Sequence, residues 1–410
     1  MHEWMPFLPA LLALCACASA GGASPESPRK GPARPTFDEE VAFLRRSGPV
    51  TVLKDGEGGL VAVSPKYQGR VMTSAIDPEG PSFGWINHAF IEAGRTGTAF
   101  DNYGGEDRFW LGPEGGQFGL YFAPGAPFTF ASWQTPQAFN EGAWEASSPP
   151  GSENSLVLGR TVHVKNHAGT TFDVAIHRTV TVLSRAEVEG RLGFAVGPSV
   201  KMVAFETKNV ITNVGREAWT EDRGLLSVWI LGMYAPSADA HVLIPFDPGA
   251  RGEIVNDRYF GKVPAERLVV HPDLGFLTFK CDGTYRSKIG LGPARARTVI
   301  GSYSASARLL TLVAYTRDPD ATRFVNSMWE EQKEPYAGDV VNSYNDGPTE
   351  PGKPSLGGFY EIETSSPAAA LAPGAELVHT QRTFHLVGDP ADLDAVARRA
   401  LGVGLDAFAR

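Results

Sequence analysis

The densest group of chemically capable side chains in the sequence lies in residues 100–117. Its charged, amide and indole members are Glu106, Asp107, Arg108, Trp110, Glu114 and Gln117. Carboxylate and guanidinium groups form paired hydrogen bonds with neighbouring hydroxyls, and an indole offers a flat apolar surface to a sugar ring. Two Gly-Gly pairs and a Gly-Pro in the segment let the backbone turn sharply or approach a ligand closely. The segment therefore predicts a site directed at carbohydrate.

Two neighbouring segments carry similar residue types. One contains His88 and precedes the dense segment, and the other contains Trp133 and follows it. An alternative interpretation is purely structural. Arginine and carboxylate groups also pair with each other wherever charge is partly buried. On that interpretation Glu106, Asp107 and Arg108 form an internal ion-pair network within a turn-rich crossover.

Local patterns predict a helix at each end of the folded region. Residues 36–39 fit a capping box, with Thr36 as the N-cap and Glu39 reaching back to it. Near the C-terminus Asp389 is predicted to cap a second helix, with Pro390 in its first turn.

The region between these helices consists of many short strand-like runs at close spacing. Residues 156–165 and 171–183 flank Asn-His-Ala-Gly at 166–169, a pattern typical of a β-hairpin. No helical periods separate the runs, and no repeat recurs at a fixed interval, which argues against a propeller. We therefore predict an all-β fold, a large antiparallel β-sandwich with short N- and C-terminal helices.

Composition excludes some classes of partner and of covalent framework. The 410 residues carry a formal net charge of −9, and no run of Lys and Arg extends beyond pairs, so we expect no nucleic acid partner. Cys15 and Cys17 lie at the N-terminus and leave Cys281 alone in the body, so no internal disulfide framework is expected. Cys281 is predicted to be a small buried apolar residue.

The N-terminus is predicted to be a targeting segment. An apolar run in residues 5–14 is too short to span a bilayer and is followed by small residues, as in a signal peptide. Residues 14–17 resemble a lipobox that would place a lipid on Cys17, although residues 1–4 contain no Lys or Arg. Cleavage near residues 18–20 without lipidation is the alternative.

These signals predict the organisation of the whole chain. A signal segment occupies residues 1–20, a flexible linker residues 21–35 and one folded domain residues 36–410. The protein is expected to be exported and anchored to a membrane through lipid, in the periplasm or at the cell surface.

Residues 104–114 resemble a segment of galactose-mutarotase-like β-supersandwich proteins, especially their secreted branches of unknown function. Other stretches are similar to that family in the same order: residues 60–72, 209–215, 224–229, 360–367, 371–376 and 382–385. Together they span residues 50–388. The resemblance implies a β-supersandwich and a carbohydrate ligand.

The resemblance also implies catalytic groups, because the sugar epimerases of the family use a His as general acid and a Glu as general base. Glu361 and Glu363 lie in the segment that resembles the surroundings of that base, and we expect one of the two to point into the site. His88, next to Asn87, is the nearest match to the acid, and His163 and His177 are alternatives on predicted strands.

These considerations predict one concave site. Its members are Arg70, Glu106, Arg108, Trp110, Glu114, Gln117, Trp133, Trp229 and Glu361. The Arg and Gln side chains would hold hydroxyls and the Trp side chains would stack on the sugar, while one of the three Glu residues would act as base. An aldose-epimerase-like or glycan-processing enzyme is the leading hypothesis. A non-catalytic glycan-binding lipoprotein and a structural envelope protein are the alternatives.

No cofactor is required by this chemistry. The body contains neither a His-Glu-x-x-His motif nor paired cysteines, so zinc is not predicted. Asn345 and Asp346 could bind calcium through oxygen atoms, but a plain turn at Asn345-Asp346-Gly347 is the favoured interpretation.

Overall fold

The computed structural model describes residue 1, residues 34–350 and residues 352–409. Contacts divide the chain into residues 1–34 and residues 35–410, and the strands and helices given below all belong to the second unit. The predicted signal segment and Cys17 lie outside the described residues, as does most of the predicted linker.

Alternating apolar residues build the longest strands. In Thr171–Val182 every second side chain from Phe172 onward is buried, and the residues between are at least partly exposed. The strands, numbered in chain order, are β1 Thr51–Lys54, β2 Leu60–Ser64, β3 Arg70–Ala75, β4 Arg108–Gly112, β5 Glu145–Ser147, β6 Ser155–Lys165, β7 Thr171–Val182, β8 Lys201–Asn213, β9 Ser227–Tyr234, β10 His241–Pro245, β11 Leu268–His271, β12 Phe276–Lys280, β13 Ser287–Leu291, β14 Val299–Ser304, β15 Leu309–Tyr315, β16 Val341–Asn345, β17 Tyr360–Ser365 and β18 Glu376–Val387.

Both predicted terminal helices are present. The helices are α1 Phe37–Arg45, α2 His88–Glu92, α3 Gln137–Asn140, α4 Arg185–Leu192 and α5 Pro390–Leu401. The capping box of α1 is confirmed, because Thr36 Oγ1 accepts from the Glu39 amide and Glu39 Oε2 accepts from the Thr36 amide. Asp389 occupies the N-cap position of α5, but its side chain makes no capping hydrogen bond.

Three helices correct the prediction of helices at the two ends only. Helix α4 begins with a second capping box, formed by Ser184 and Glu187, so its signal was present in the sequence. Helices α2 and α3 have five and four residues, which is too short for a periodic apolar pattern to indicate them.

Three antiparallel sheets organise the strands. A three-stranded sheet has the order β1-β2-β3, and a ten-stranded sheet has the order β11-β12-β10-β14-β15-β18-β8-β7-β6-β5. The third sheet has five strands in the order β13-β16-β17-β9-β4. Strands far apart in sequence are therefore neighbours, and the predicted hairpin of β6 and β7 is confirmed at the edge of the large sheet. The predicted all-β antiparallel fold is confirmed.

Strand β15 shows how the layers are arranged. Leu310 and Leu312 pack in a cluster with residues of α4 and α5, whereas Val313 and Tyr315 pack in a different cluster with Ile362 of β17. Because successive side chains of a strand point to opposite faces, the ten-stranded sheet carries helices on one face and the five-stranded sheet on the other here. Among the described residues, no helix has both the length and the apolar character needed to cross a bilayer.

Candidate functional site

The five-stranded sheet turns a row of charged side chains away from the large sheet. On β17, Thr364 Oγ1 lies 2.8 Å from His379 Nε2 and donates to Gln381 Oε1 at 2.6 Å, so Thr364 faces β18 of the large sheet. Glu361 and Glu363 are an odd number of residues from Thr364 and therefore point to the opposite face.

Cross-strand register places other polar residues beside these carboxyl groups. Lys288 of β13 pairs with Tyr344 of β16, which in turn pairs with Glu361. Arg108 of β4 and Glu363 of β17 pair with the same residue of β9. The order of the five strands thus brings cations and carboxyls from distant parts of the chain onto one surface.

This surface is the floor of a cavity of about 390 Å³. Aromatic side chains from strands, loops and helix α2 surround it. Ten of them line the cavity: Phe90, Phe100, Trp110, Phe130, Trp133, Trp229, Phe260, Trp329, Tyr344 and Phe359. The rings of Trp133 and Trp329 are nearly parallel, with centroids 6.4 Å apart. Flat apolar walls with a few polar groups at the bottom are typical of small-molecule sites.

Two buried ion pairs form at the floor. Arg108 Nη2 lies 2.9 Å from Glu361 Oε1, and Lys288 Nζ lies 2.8 Å from Glu363 Oε2. Trp229 Nε1 also donates to Glu363 Oε2 at 2.8 Å. Charges this deeply buried require partners, because an unpaired ion loses its hydration without compensation.

The environment of Glu361 favours its protonated form. Burial raises the pKa of this carboxyl to about 8, the positive charge of Arg108 opposes the rise, and the neighbouring Glu363 adds to it. At neutral pH Glu361 is therefore mostly protonated and able to donate a proton.

Glu114, just after β4, is the second carboxyl that lines the cavity. Burial raises its pKa, whereas the positive charge of Lys288 and the hydrogen bond from Trp133 oppose the rise. Trp133 Nε1 donates to Glu114 Oε1 at 2.8 Å, and the Glu114 amide donates to Ser327 Oγ at 3.1 Å. Side chain and backbone of Glu114 are both held in place.

The cations on the floor also contact aromatic faces. The Arg108 guanidinium lies 4.0 Å from the ring centre of Trp110, and Lys288 Nζ lies 4.8 Å from that of Trp229. Such contacts hold a cation over a ring without neutralising it. The buried Trp110 Nε1 has no hydrogen-bond partner among the described residues.

The structure brings together six of the site residues predicted from the sequence. Lining the cavity are Arg108, Trp110, Glu114, Trp133, Trp229 and Glu361. The remaining four, Arg70, Glu106, Gln117 and His88, lie outside it.

Two of those four residues are buried beneath the site. Arg70 donates to the Gly104 carbonyl at 3.0 Å and to Gln68 Oε1 at 3.0 Å, which ties two turns together. Glu106 is fully buried, with Oε2 3.3 Å from His385 Nε2 of the large sheet. Both are charged residues near strands, and the sequence pattern does not show whether their side chains point to the cavity or into the interior.

The other two make contacts at a distance from the floor. Gln117 Nε2 donates to the Gln332 carbonyl at 2.9 Å, and the Gln332 amide donates back to Gln117 Oε1 at 3.0 Å. His88 begins α2 and lies 2.6 Å from Glu40 Oε2 of α1. The histidine nearest in pattern to a general acid thus joins two helices.

Of Glu361 and Glu363, only Glu361 lines the cavity, as expected, although the two side chains share a face of β17. Residues two apart on a strand share a face. Both side chains point to the cavity side of the sheet, where Glu361 lines the cavity and Glu363 lies at its floor beside Lys288 and Trp229.

Several functional residues were missed by the sequence analysis. Arg286, Lys288 and Trp329 line the cavity, although no motif indicated them. A signal existed in Arg286-Ser287-Lys288, because two basic residues two positions apart in a strand-like run share one face.

The proposed local network of Glu106, Asp107 and Arg108 is absent, since each side chain has its partner elsewhere. Asp107 is paired with Arg178 of β7 in the fully buried interior, and Arg108 is paired with Glu361. Glu106 and Asp107 therefore contact the large sheet, and Arg108 joins two strands of the five-stranded sheet.

Within residues 34–350 and 352–409 no cluster of three or more His, Cys, Asp or Glu side chains could hold a metal ion. At the turn considered for calcium, Asp346 accepts from the Gly357 and Gly358 amides at 3.0 and 2.8 Å. Asn345 accepts from the Gly283 amide and donates to the Tyr285 carbonyl. Both side chains serve to join loops.

A sequence model described as a family of unknown function (DUF6786) matches residues 35–410. The chain belongs to this family. No curated protein matches it in sequence. The predicted membership of a family of unknown function is confirmed, while a secreted branch stays a prediction.

Solved structures show similarity to this DUF6786 chain in fold alone. The Slr1438 protein from Synechocystis sp. PCC 6803 has a TM-score of 0.50 at 10% identity, covering 83% of this chain and 96% of its own. A galactose mutarotase related enzyme from Lactobacillus acidophilus has a TM-score of 0.46 at 10% identity, with coverages of 82% and 97%. A galactose mutarotase-like protein from Lactobacillus casei ATCC 334 has a TM-score of 0.44 at 9% identity, with coverages of 82% and 100%.

Proposed function

We propose that the cavity binds a carbohydrate and that the protein performs general acid–base chemistry on it. One observation carries this proposal: Glu361 lies buried at the floor of an aromatic cavity, beside Arg108, with its pKa raised to about 8. A carboxyl with a pKa near the working pH is suited to proton transfer.

Binding follows from the walls and the floor. Trp110, Trp133 and Trp229 offer flat faces to the apolar side of a sugar ring. The guanidinium of Arg108 and the unpartnered Trp110 Nε1 offer donors to hydroxyl oxygens. A sugar bound between these rings would displace water from them, which would strengthen each hydrogen bond.

Glu361 is the general acid in this proposal and Glu114 the general base. Protonated Glu361 donates to a ring or glycosidic oxygen, and Arg108 stabilises the carboxylate that remains. Glu114 accepts a proton from a sugar hydroxyl or from water, helped by the Trp133 hydrogen bond that favours its charged form. Epimerisation at the anomeric carbon and cleavage of a glycosidic bond both require such a pair.

Substitution of the two carboxyls tests the assignment. Glu361→Gln and Glu114→Gln should each lower turnover by roughly a hundredfold or more, the usual worth of a positioned acid or base. Turnover is measured as anomeric exchange of reducing sugars by NMR and as release of reducing ends from oligosaccharides. Glu217→Gln, an exposed residue paired with Arg223, is the matched control. Full turnover in both site variants would overturn the proposal.

A non-catalytic glycan-binding protein is the second candidate. It is favoured by the fact that none of the described residues lining the cavity is a histidine, so the His–Glu pair implied by the resemblance is not formed there. In that case wild-type protein and Glu361→Gln bind the same oligosaccharides, and wild-type protein shows neither anomeric exchange nor cleavage.

We further propose, from the N-terminal sequence, that the protein is exported and carries lipid on Cys17. Expression with an alkyne-tagged fatty acid should label wild-type protein and Cys15→Ser, but not Cys17→Ser. Equal labelling of Cys17→Ser would exclude this residue as the anchor.

A further inference from the structure

The third cation of the cavity, Arg286, differs from the other two in having no acidic side chain as its partner. Arg108 is paired with Glu361 and Lys288 with Glu363. Among the ion pairs of the described residues, none includes Arg286, and its buried Nε has no hydrogen-bond partner. Arg286 forms a hydrogen bond with the hydroxyl of Tyr344 in the cavity wall, which is a neutral partner and leaves the charge of the guanidinium uncompensated.

Aromatic rings hold Arg286 in position without satisfying its charge. Its guanidinium lies 3.7 Å from the ring centre of Phe260 and 5.1 Å from that of Phe130. Stacking immobilises the planar group and leaves its edge free to donate. Phe130 is 40% exposed, so this end of the cavity lies at the rim, where a substituent of a bound ligand would sit.

The charge balance of the cavity points the same way. Three cations, Arg108, Arg286 and Lys288, line it together with the carboxyls of Glu114 and Glu361, and Glu363 at the floor is paired with Lys288. Burial also raises the pKa of both carboxyls, that of Glu361 to about 8, so Glu361 contributes little negative charge at neutral pH. An anionic ligand would therefore be drawn into this cavity.

We propose that Arg286 binds the acidic group of an acidic sugar, a carboxylate or a phosphate, so that the site prefers charged over neutral carbohydrate. The proposal rests on the function proposed above and specifies its substrate class. A fixed guanidinium matches both groups through two parallel N–H donors. The reacting part of the sugar would then lie deeper, beside Glu361 and Glu114.

The test is a set of binding titrations followed by tryptophan fluorescence, since four tryptophans line the cavity. The affinity for glucose is compared with that for glucuronate and for glucose 6-phosphate. The affinity for galactose is compared with that for galacturonate. Wild-type protein should bind at least one acid roughly tenfold or more tighter than its neutral parent. Comparison of the two glucose acids tells whether a carboxylate or a phosphate is preferred.

Arg286→Met should abolish this preference, because the affinity for the acidic sugar should fall roughly tenfold or more relative to the affinity for its neutral parent. Arg399→Met is the matched control, because Arg399 also lies over a phenylalanine, Phe194, but away from the cavity. Arg286→Lys keeps the positive charge but loses the two parallel N–H donors, so it should retain part of the preference for acidic sugars. It gives a second measurement if Arg286→Met fails to fold.

The two proposals fail in different ways. Equal affinity for acidic and neutral sugars in wild-type protein, or an unchanged preference in Arg286→Met, overturns the acidic-sugar proposal and leaves carbohydrate binding standing. Absence of binding for every sugar overturns the proposed function together with this inference.

Discussion

Arg108 Nη2 and Glu361 Oε1 lie 2.9 Å apart although the two residues are 253 positions apart in the chain, and both side chains are almost completely buried. Strand β9, which pairs with β4 on one side and β17 on the other, joins them. A carboxyl held beside a guanidinium and away from water can exchange its proton while its counter-charge stays fixed.

The raised pKa of Glu361 predicts a dependence of stability on pH. A carboxyl whose pKa rises from 4.5 to about 8 on folding contributes stability that is complete below 4.5 and is lost as the pH rises towards 8. Glu361→Gln cannot lose a proton and should show a smaller fall in unfolding free energy between pH 5 and pH 8. Urea denaturation at several pH values measures this difference. Parallel curves for wild-type and variant protein would contradict the raised pKa, and Glu217→Gln should follow wild-type.

Trp133 is predicted to set the pH range in which Glu114 acts as base. Its indole N–H donates to Glu114 Oε1 and favours the carboxylate, so Trp133→Phe should raise the pKa of Glu114 further. The acid limb of the pH–rate profile should then move to higher pH. Trp144→Phe is the control, because the buried Trp144 Nε1 has no hydrogen-bond partner among the described residues. An unmoved acid limb would argue against Glu114 as the base.

The pair of Asp107 and Arg178 is predicted to hold the sheets together. Both side chains are fully buried, and Thr207 Oγ1 also donates to Asp107 Oδ2 at 3.0 Å. Arg178→Met should lower the unfolding free energy by about 3–5 kcal/mol, because it leaves a buried carboxylate unpaired. Arg223→Met, which removes an exposed pair with Glu217, should cost about 0–1 kcal/mol.

A double variant separates lost pairing from lost packing. Asp107→Leu combined with Arg178→Met removes both charges and should recover part of the stability lost in Arg178→Met. Chemical denaturation of the three proteins gives the comparison. A double variant less stable than Arg178→Met would show that Asp107 stabilises the fold through contacts other than its pair with Arg178.

His88 is predicted to be dispensable for turnover. The hydrogen bond to Glu40 raises the pKa of His88, with burial opposing, so its contribution to stability is complete below about 6.5 and is lost above the raised value. His88→Gln should lower stability more at pH 5.5 than at pH 8.5 and leave turnover unchanged. A folded His88→Gln protein without turnover would restore this histidine as the general acid.

Local signals in the sequence were sufficient for much of the fold. The capping box at Thr36 and Glu39 and the turn between β6 and β7 act within a few residues, so their outcome depends little on the rest of the chain. Alternation of apolar residues likewise indicated long strands such as β7. Helix α4 also begins with a capping box, at Ser184, so the sequence contained a local signal for this helix too.

The sequence by itself determined that the fold is antiparallel β and that charged and indole side chains crowd residues 106–114, because residue type and two-residue periodicity are local properties. Only the tertiary structure decided which of those side chains share a cavity. Arg108 and Glu114 face it, whereas Glu106 is buried against the large sheet. The physical reason is that strand order is set by burial summed over the whole chain, and that order alone brings Glu361 beside Arg108 and Lys288 into the same cavity.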